Sequence, residues 1–289
     1  HLAWRILPSF RWMNLFPALV LYAGLAVFLF QVVPLFARTR SQLCLLLLAT
    51  LHPQLLLWST TFRWYSWWTG LALLTLTLAL QPRKPQPILT TSRALTLGLL
   101  LAALFYLNYI TLLFAAALGV AISFRYRSQP PKSVLVRVLL AASVFLVLIA
   151  PQLHTMLAVH IPASRAQPYG LVVSTLRLLQ SIATSEACLP WHPLAFVAAT
   201  FFAALCLAGS LTLLRIARNR AHRSQVSVSP LAAIVLFGLL FFLLVVVTGL
   251  GGKPRNALLL IPVLAPAAAL IVETLRPRLQ TAALLFLAL

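Results

Sequence analysis

The amino-acid sequence predicts an all-α membrane protein, a polytopic bundle of transmembrane helices with about nine spans and a partial one. Of its 289 residues, 62% are hydrophobic and 8% are charged, whereas about a quarter of the residues of a soluble domain are charged. Apolar runs of about 20 residues, the length that crosses a bilayer as a helix, recur along the chain. The Lys and Arg residues lie between these runs, as in the loops of membrane proteins. One transmembrane domain over residues 1–289 is therefore expected.

The apolar runs cover residues 15–36, 43–58, 67–80, 95–124, 134–150, 194–214, 231–247 and 257–275, and a final run begins at residue 279. The fourth run is too long for one upright span and carries the polar step Asn108-Tyr109. We therefore predict two helices that meet at Asn108. A split at Asn108 also keeps most Lys and Arg residues on one side of the membrane. If the run were a single span, every later loop would lie on the opposite side.

The distribution of charge predicts the orientation. If the first span runs from outside to inside, most of the 22 Lys and Arg residues fall in inner loops, as expected for cytoplasmic loops. The outer cations are the minority, namely Arg5, Arg11, Arg63, Arg165, Arg177, Lys253 and Arg255. Although the net charge is +20, no basic domain lies outside the apolar runs. Nucleic acid is therefore excluded as a partner, and membrane lipids are expected instead.

The longest outer segment covers residues 151–192, and its middle part has apolar residues at helical spacing. These residues are expected on the bilayer surface, and they are Leu171, Val172, Leu176, Leu178 and Leu179. The chain has three Cys and six His, whose spacing matches neither a disulfide framework nor a metal site. No cofactor is evident from these spacings, and the sequence leaves the need for a divalent metal open.

Arg63 and Tyr65 lie among three Trp residues near the outer end of the third apolar run. This pattern allows two interpretations. The residues form an interfacial aromatic belt with an Arg that extends to the headgroups, or they face an outer-leaflet pocket. In such a pocket the planar guanidinium of Arg63 pairs with a phosphate, while the aromatic rings cover an acyl chain or stack on a sugar.

Other outer positions are weaker candidates. Lys253 and Arg255 follow a Gly-rich stretch and form either a plain hairpin or an anion clamp. Arg5 precedes the first span and suits an interfacial anchor. His52 precedes a Pro that breaks the second run near its outer end, and it is favoured as a packed residue over a ligand. Glu186 is the one outer acid, and a lone Glu in a loop is usually solvated.

Short stretches, taken in order, resemble the GT-C type of membrane glycosyltransferases, in particular the bacterial branch related to protein mannosyltransferases and lipid A aminoarabinose transferases. They are Arg-Ile-Leu-Pro-Ser at 5–9, His-Pro at 52–53, Arg-Trp-Tyr-Ser at 63–66, Tyr-Leu-Asn-Tyr at 106–109, and Arg-Asn at 255–256 followed by Pro262. Three positions depart from the family pattern. Thr61 or Phe62 stands where the family has an acid, Asn108 where it has His, and Asn256 where it has Tyr.

The resemblance implies transfer of a sugar, with inversion, from a polyprenyl-phosphate carrier to an acceptor on the extracytoplasmic face of the bacterial inner (plasma) membrane. It implies donor-binding roles for Arg63, Tyr65, Arg255, Lys253 and Arg5, with His52, Asn108 and Tyr109 as further candidates. The family's catalytic acid, usually Asp, precedes the Arg-x-Pro-Ser stretch. The chain has no Asp and begins with His1, so we expect an N-terminally truncated fragment whose catalytic acid lies upstream.

Two alternatives stay open. One is a transporter or flippase of a lipid-linked or small amphiphilic substrate. Transporters usually carry ionisable groups deep within their spans, whereas the charged residues here lie near the predicted interfaces. The other alternative is a non-catalytic member of the family. The sugar, the acceptor and the oligomeric state do not follow from the sequence.

Overall fold

The computed structural model describes residues 10–59, 64–84, 87–158, 171–183, 204, 207–213, 228–250 and 258–274. Within these ranges the secondary structure is helical, without strands. The helices are α1 (Phe10–Val32), continued by a 3-10 turn (Val33–Leu35), α2 (Thr39–Thr50), α3 (Pro53–Ser59), α4 (Trp64–Leu80), α5 (Thr91–Leu107), α6 (Thr111–Arg125), α7 (Pro131–Ala158), α8 (Leu171–Ala183), α9 (Val228–Val247) and α10 (Leu260–Thr274).

Three described stretches are long and apolar enough to cross a bilayer, and they are Leu15–Leu35, Pro131–Thr155 and Ser229–Val247. Helices α4, α5, α6 and α10 are also apolar, but each is shorter than the roughly 20 residues that span a typical hydrocarbon core. The prediction of an all-α chain with membrane-crossing helices is therefore confirmed, while the count of about nine spans stays a prediction.

Helices α1 and α4 pack closely, because two glycines bring their backbones into contact. A Cβ placed on Gly24 would lie 2.2 Å from the carbonyl oxygen of Gly70, and a Cβ on Gly70 would lie 2.3 Å from that of Val20. Small residues allow such an approach between transmembrane helices, whose association depends on packing because lipid is as apolar as the side chains. This contact leaves no room for any larger residue at either glycine.

Helices α5 and α6 form a hairpin that returns at Asn108, as the sequence predicts. Gln81, just after α4, accepts a hydrogen bond from Arg93 at the start of α5. Its amide also donates to the hydroxyl of Tyr126, just after α6, over 2.7 Å. The start of α5 and the end of α6 are therefore at the same end of the bundle. Tyr126 in turn donates to the carbonyl of Ala79 over 2.7 Å.

A buried guanidinium closes this end of the bundle, which we call the basic end. Arg125, only 3% exposed, donates to the carbonyl of Leu80 over 3.1 Å and to the hydroxyl of Ser229 over 3.2 Å. It also donates to the carbonyls of Gln81 and Lys84. Three of these partners are carbonyls at or just after the C-terminus of α4, which carries partial negative charge. Arg125 thus caps α4 and ties it to α6 and α9.

The basic end holds most of the cations whose side chains the structure describes. They are Arg38, Arg40, Arg83, Lys84, Arg93, Arg125, Arg127, Lys132 and Arg137. The start of α2 meets the end of α10 there, where the backbone N–H of Arg38 donates to Glu273 over 3.2 Å. Among the Lys and Arg side chains described, Arg177 on α8 is the one that lies at the opposite end. The separation of charge between two ends therefore agrees with the sequence prediction, without fixing which end is cytoplasmic.

The outer segment predicted at residues 151–192 differs from the structure in two respects. First, α7 continues through Pro151 to Ala158, so the segment begins later than predicted. Second, α8 is helical as predicted, but Leu178 is fully buried rather than on the surface. Leu179 is half-buried, while the other predicted surface residues, Leu171, Val172 and Leu176, are exposed. The apolar surface of α8 thus divides between protein packing and exposure.

We expect Gly70→Ala to lower the free energy of unfolding by about 1–3 kcal/mol, because the new methyl group overlaps the α1 backbone. Gly119→Ala on α6 is the matched control, since a Cβ there has nothing within 4 Å. It should be neutral or slightly stabilising, because Ala favours helix. Unfolding followed by circular dichroism in mixed micelles compares the two. Equal losses from both substitutions would contradict the close contact between α1 and α4.

We expect Arg125→Gln to lower the free energy of unfolding by about 1.5–3 kcal/mol, the range for hydrogen bonds to a charged group. Arg127→Gln serves as the control, because Arg127 is exposed and stacks over the ring of Phe124 at 4.8 Å. Its loss should stay within about 0.5 kcal/mol, as is usual for surface positions. The same unfolding measurement applies. A smaller loss for Arg125→Gln than for Arg127→Gln would rule out the capping role.

Candidate functional site

The site candidates predicted from the sequence divide into two groups. The described residues include His52, Tyr65, Asn108 and Tyr109. The remaining candidates lie outside the described residues, and they are Arg5, Arg63, Lys253, Arg255 and Glu186. The described four lie at the end opposite to the basic end, which we call the aromatic end. It comprises the starts of α1, α4 and α6 and the ends of α5 and α9.

Tyr65 lies in the first turn of α4 and points into the protein. It is 6% exposed, and Trp68, one turn further along the same face, is 4% exposed. Residues of an interfacial belt contact headgroups and lipid, so the burial of these two rings argues against the belt interpretation for Tyr65 and Trp68. Next to them, Trp67 makes an edge contact with Phe16 of α1, with ring centroids 4.7 Å apart. The first turns of α1 and α4 are therefore joined at the aromatic end.

Trp68 connects three helices, although the sequence analysis did not single it out. Its indole N–H donates to the hydroxyl of Thr111, the first residue of α6, over 2.8 Å. Its ring stacks on Phe241 of α9, with centroids 6.3 Å apart, and meets the edge of Phe114 of α6 at 6.0 Å. The available signal was the helical spacing of Tyr65 and Trp68, which places them on one face of α4.

Asn108 closes the hairpin between α5 and α6. Its side-chain carbonyl accepts from the backbone N–H of Ile110 over 3.2 Å, and its backbone carbonyl accepts from the hydroxyl of Thr111 over 2.6 Å. A hydrogen-bonded path therefore runs from Trp68 through Thr111 to Asn108. The neighbouring Tyr109 is 60% exposed and lies at the surface of the hairpin. Asn108 thus positions the turn, while Tyr109 is free to contact lipid or a ligand.

His52 lies in the break between α2 and α3 and is 7% exposed. Its Nδ1 accepts from the backbone N–H of Gln54 over 3.2 Å, so the proton resides on Nε2. That nitrogen donates to the backbone carbonyl of Ile182 in α8 over 2.6 Å. Both ring nitrogens are therefore hydrogen-bonded. This agrees with the prediction that His52 is a packed residue rather than a ligand. The bond fixes the end of α8 against the helix break.

Two described helices, α4 and α9, adjoin the predicted phosphate-binding cations in the sequence. Arg63 directly precedes the first residue of α4. Gly249, just after α9, has a φ of 73°, and Lys253 and Arg255 follow it in the sequence, outside the described residues. Helices α4 and α9 are in turn linked by the stacking of Trp68. The described parts of α4 and α9, which adjoin these cations in the sequence, are thus in contact with each other.

The described side chains include no group of three or more His, Cys, Asp or Glu that could hold a metal ion. Comparison with known proteins finds no match, whether with a protein-family model, a curated protein or a solved structure. The chemistry of the aromatic end therefore has to be inferred from its own residues.

We expect Trp68→Phe and Thr111→Val to be energetically coupled, because each removes one partner of the same buried hydrogen bond. The interaction free energy from the double-mutant cycle should be about 0.5–2 kcal/mol. Unfolding of the wild type, both single variants and the double variant in mixed micelles gives this value. Additive losses would contradict the link between α4 and the α5–α6 hairpin.

Proposed function

We propose that the chain belongs to a membrane glycosyltransferase that moves a sugar from a polyprenyl-phosphate donor to an acceptor on the extracytoplasmic face. One observation carries the proposal. The helix that follows Arg63 and the hairpin at Asn108 are joined through Trp68, and Trp68 also stacks on α9, which leads to Lys253 and Arg255. These are the segments whose sequences resemble the donor-handling motifs of GT-C enzymes.

The chemistry of the donor suits this arrangement. A polyprenyl phosphate combines a long apolar tail with one charged group, so it needs apolar helices beside fixed cations. When the glycosidic bond breaks, negative charge grows on the leaving phosphate and positive charge on the sugar ring. Fixed guanidinium groups at the phosphate stabilise that transition state. No described residue is assigned as the acid–base group of this reaction.

We place the basic end in the cytoplasm and the aromatic end at the outer face, since Lys and Arg collect in cytoplasmic loops. With this orientation the apolar runs give about nine spans and a partial one, and the donor site lies in the outer leaflet of a bacterial inner membrane. Short helices such as α4 and α6 are accommodated because local bilayer thinning and packing on neighbouring helices offset a short apolar length.

The transporter or flippase alternative receives less support from the described residues. Transporters bind substrate near the midplane through broken helices and ionisable groups. The charged side chains described in the apolar helices lie within about two turns of a helix end, as do Arg125 and Glu273. At the described break between α2 and α3, both ring nitrogens of His52 form hydrogen bonds within the protein, which makes His52 a packed residue.

We expect Arg63→Gln and Arg255→Gln each to weaken binding of polyprenyl phosphate to the purified protein by about tenfold to a hundredfold. Arg63→Lys should restore only part of the loss, because Lys keeps the charge and loses the planar fork. Arg177→Gln is the control, since Arg177 is an exposed outer cation on α8. Titration with fluorescent polyprenyl phosphate measures the dissociation constants.

The uncharged polyprenol serves as the ligand control for this titration. Binding of polyprenol as tight as that of polyprenyl phosphate would exclude phosphate recognition at this site. An equal loss of affinity for Arg177→Gln would indicate that Arg63, Arg255 and Arg177 are all interfacial anchors. Translocation of a lipid-linked sugar across proteoliposomes, without transfer of the sugar to an acceptor, would favour the flippase alternative.

The orientation is open to a separate test with single cysteines in a background in which Cys44, Cys188 and Cys206 are replaced by Ala. Tyr109→Cys at the aromatic end should react with a membrane-impermeant maleimide in intact cells. Arg127→Cys at the basic end should react only after the membrane is permeabilised. Both positions are exposed in the protein, so burial does not hide either thiol. The reverse labelling pattern would place the aromatic end in the cytoplasm and exclude an extracytoplasmic reaction.

A further inference from the structure

A surface groove runs between α1 and α2 and ends at the basic end of the bundle. Its volume is about 530 Å³, and its lining is almost entirely apolar. Along α1 and the 3-10 turn it extends from Tyr22 to Pro34, which is about 18 Å at the rise of a helix. That length is close to half of the roughly 30 Å hydrocarbon core. The groove therefore has the length of a single leaflet.

The groove is open toward the surroundings of the bundle. Phe30, which forms part of its wall, is 63% exposed, and Ala26 and Pro34 are exposed as well. In a bilayer such an opening faces lipid. Acyl chains are as apolar as the wall, so filling the groove with one chain gains packing contacts rather than a hydrophobic driving force. The tail alone therefore selects no particular lipid.

A cation lies at the basic end of the groove and favours lipids with an anionic headgroup. The guanidinium of Arg83, in the turn between α4 and α5, lies 5.0 Å from the centre of the Phe30 ring. A guanidinium over a ring face is held by cation–π attraction, which leaves its edge donors able to bind phosphate. Arg38, in the connection from α1 to α2, adds positive charge at the same end. An apolar groove that ends at a guanidinium matches a phospholipid whose acyl chain lies in the groove and whose anionic headgroup lies at the basic end.

We infer that this groove holds one acyl chain of an anionic diacyl phospholipid from the leaflet at the basic end, with the phosphate of its headgroup on Arg83. The site is separate from the donor site of the proposed function, which lies at the opposite end of the bundle. An anionic lipid here fixes the depth of α1 in the membrane and supports its contact with α4. The inference therefore concerns lipid recognition and does not depend on the transferase reaction.

Native mass spectrometry of the purified protein tests this assignment. The protein is released from detergent after equilibration with equal amounts of phosphatidylglycerol and phosphatidylcholine that have identical acyl chains. Both lipids carry a phosphate, but the choline ammonium makes phosphatidylcholine zwitterionic and is repelled by the cations at the basic end. We therefore expect the first bound lipid to be phosphatidylglycerol with a preference of about tenfold. Arg83→Gln should bring the preference close to equality. Ala26→Phe, which fills the groove, should lower the binding of both lipids.

Arg127→Gln is the matched control, because Arg127 stacks on Phe124 at the same end but does not line this groove. Its preference for phosphatidylglycerol should equal that of the wild type. If Arg83→Gln does not fold, Phe30→Leu removes the ring that positions Arg83 and should lower the preference in the same direction. Equal loss for Arg83→Gln and Arg127→Gln would overturn the inference. So would a wild type that binds neither lipid, since another part of the chain or a second copy would then cover the groove.

Discussion

The contact between the backbones of α1 and α4 is the constraint on which the rest of the bundle depends. At Gly24 and Gly70 the two helices approach so closely that a single methyl group would collide with a carbonyl oxygen. This approach fixes α4, and α4 in turn is bound at both ends. Trp68 attaches its start to α6 and α9, while Arg125 caps its end. Helix α4 is therefore the axis around which both ends are arranged.

The two ends satisfy their buried polar groups in different ways, which separates their chemistry. At the basic end a buried guanidinium neutralises helix-end carbonyls, and the cost of leaving such groups unpaired in an apolar medium keeps Arg125 in place. At the aromatic end neutral groups, the indole of Trp68 and the hydroxyl of Thr111, make the connections. In the proposed function, anion recognition at the aromatic end is therefore assigned to cations that adjoin the described helices in the sequence, such as Arg63 and Arg255. Phosphate binding at the basic end falls to exposed guanidinium groups such as Arg83.

Local pattern and charge were sufficient to predict the helical fold and its two principal interruptions. The hairpin at Asn108 was predicted because the apolar run is too long for one span and because a hairpin places the later Lys and Arg residues on the inner side. The break at His52 was predicted from the adjacent Pro53. The extension of α7 was missed because a Pro within an apolar helix can be tolerated when neighbouring groups compensate. Sequence cannot reveal which arc of the broad apolar surface of α8 meets protein, so the burial of Leu178 was not foreseen. Trp68 was overlooked because its partner, Thr111, is distant in the sequence and becomes adjacent only through the hairpin.

The central claim is that the aromatic end brings Arg63 and Arg255 to one phosphate. The most direct measurement is chemical cross-linking of Arg63→Cys with Arg255→Cys in native membranes, in a background in which the three native cysteines are replaced by Ala. The reagent is a bifunctional thiol cross-linker about as long as two arginine side chains with a phosphate between them. A high yield of intramolecular cross-link, absent for Arg63→Cys with Arg127→Cys, is the predicted result. Efficient labelling of both cysteines without any cross-link would contradict a shared phosphate site.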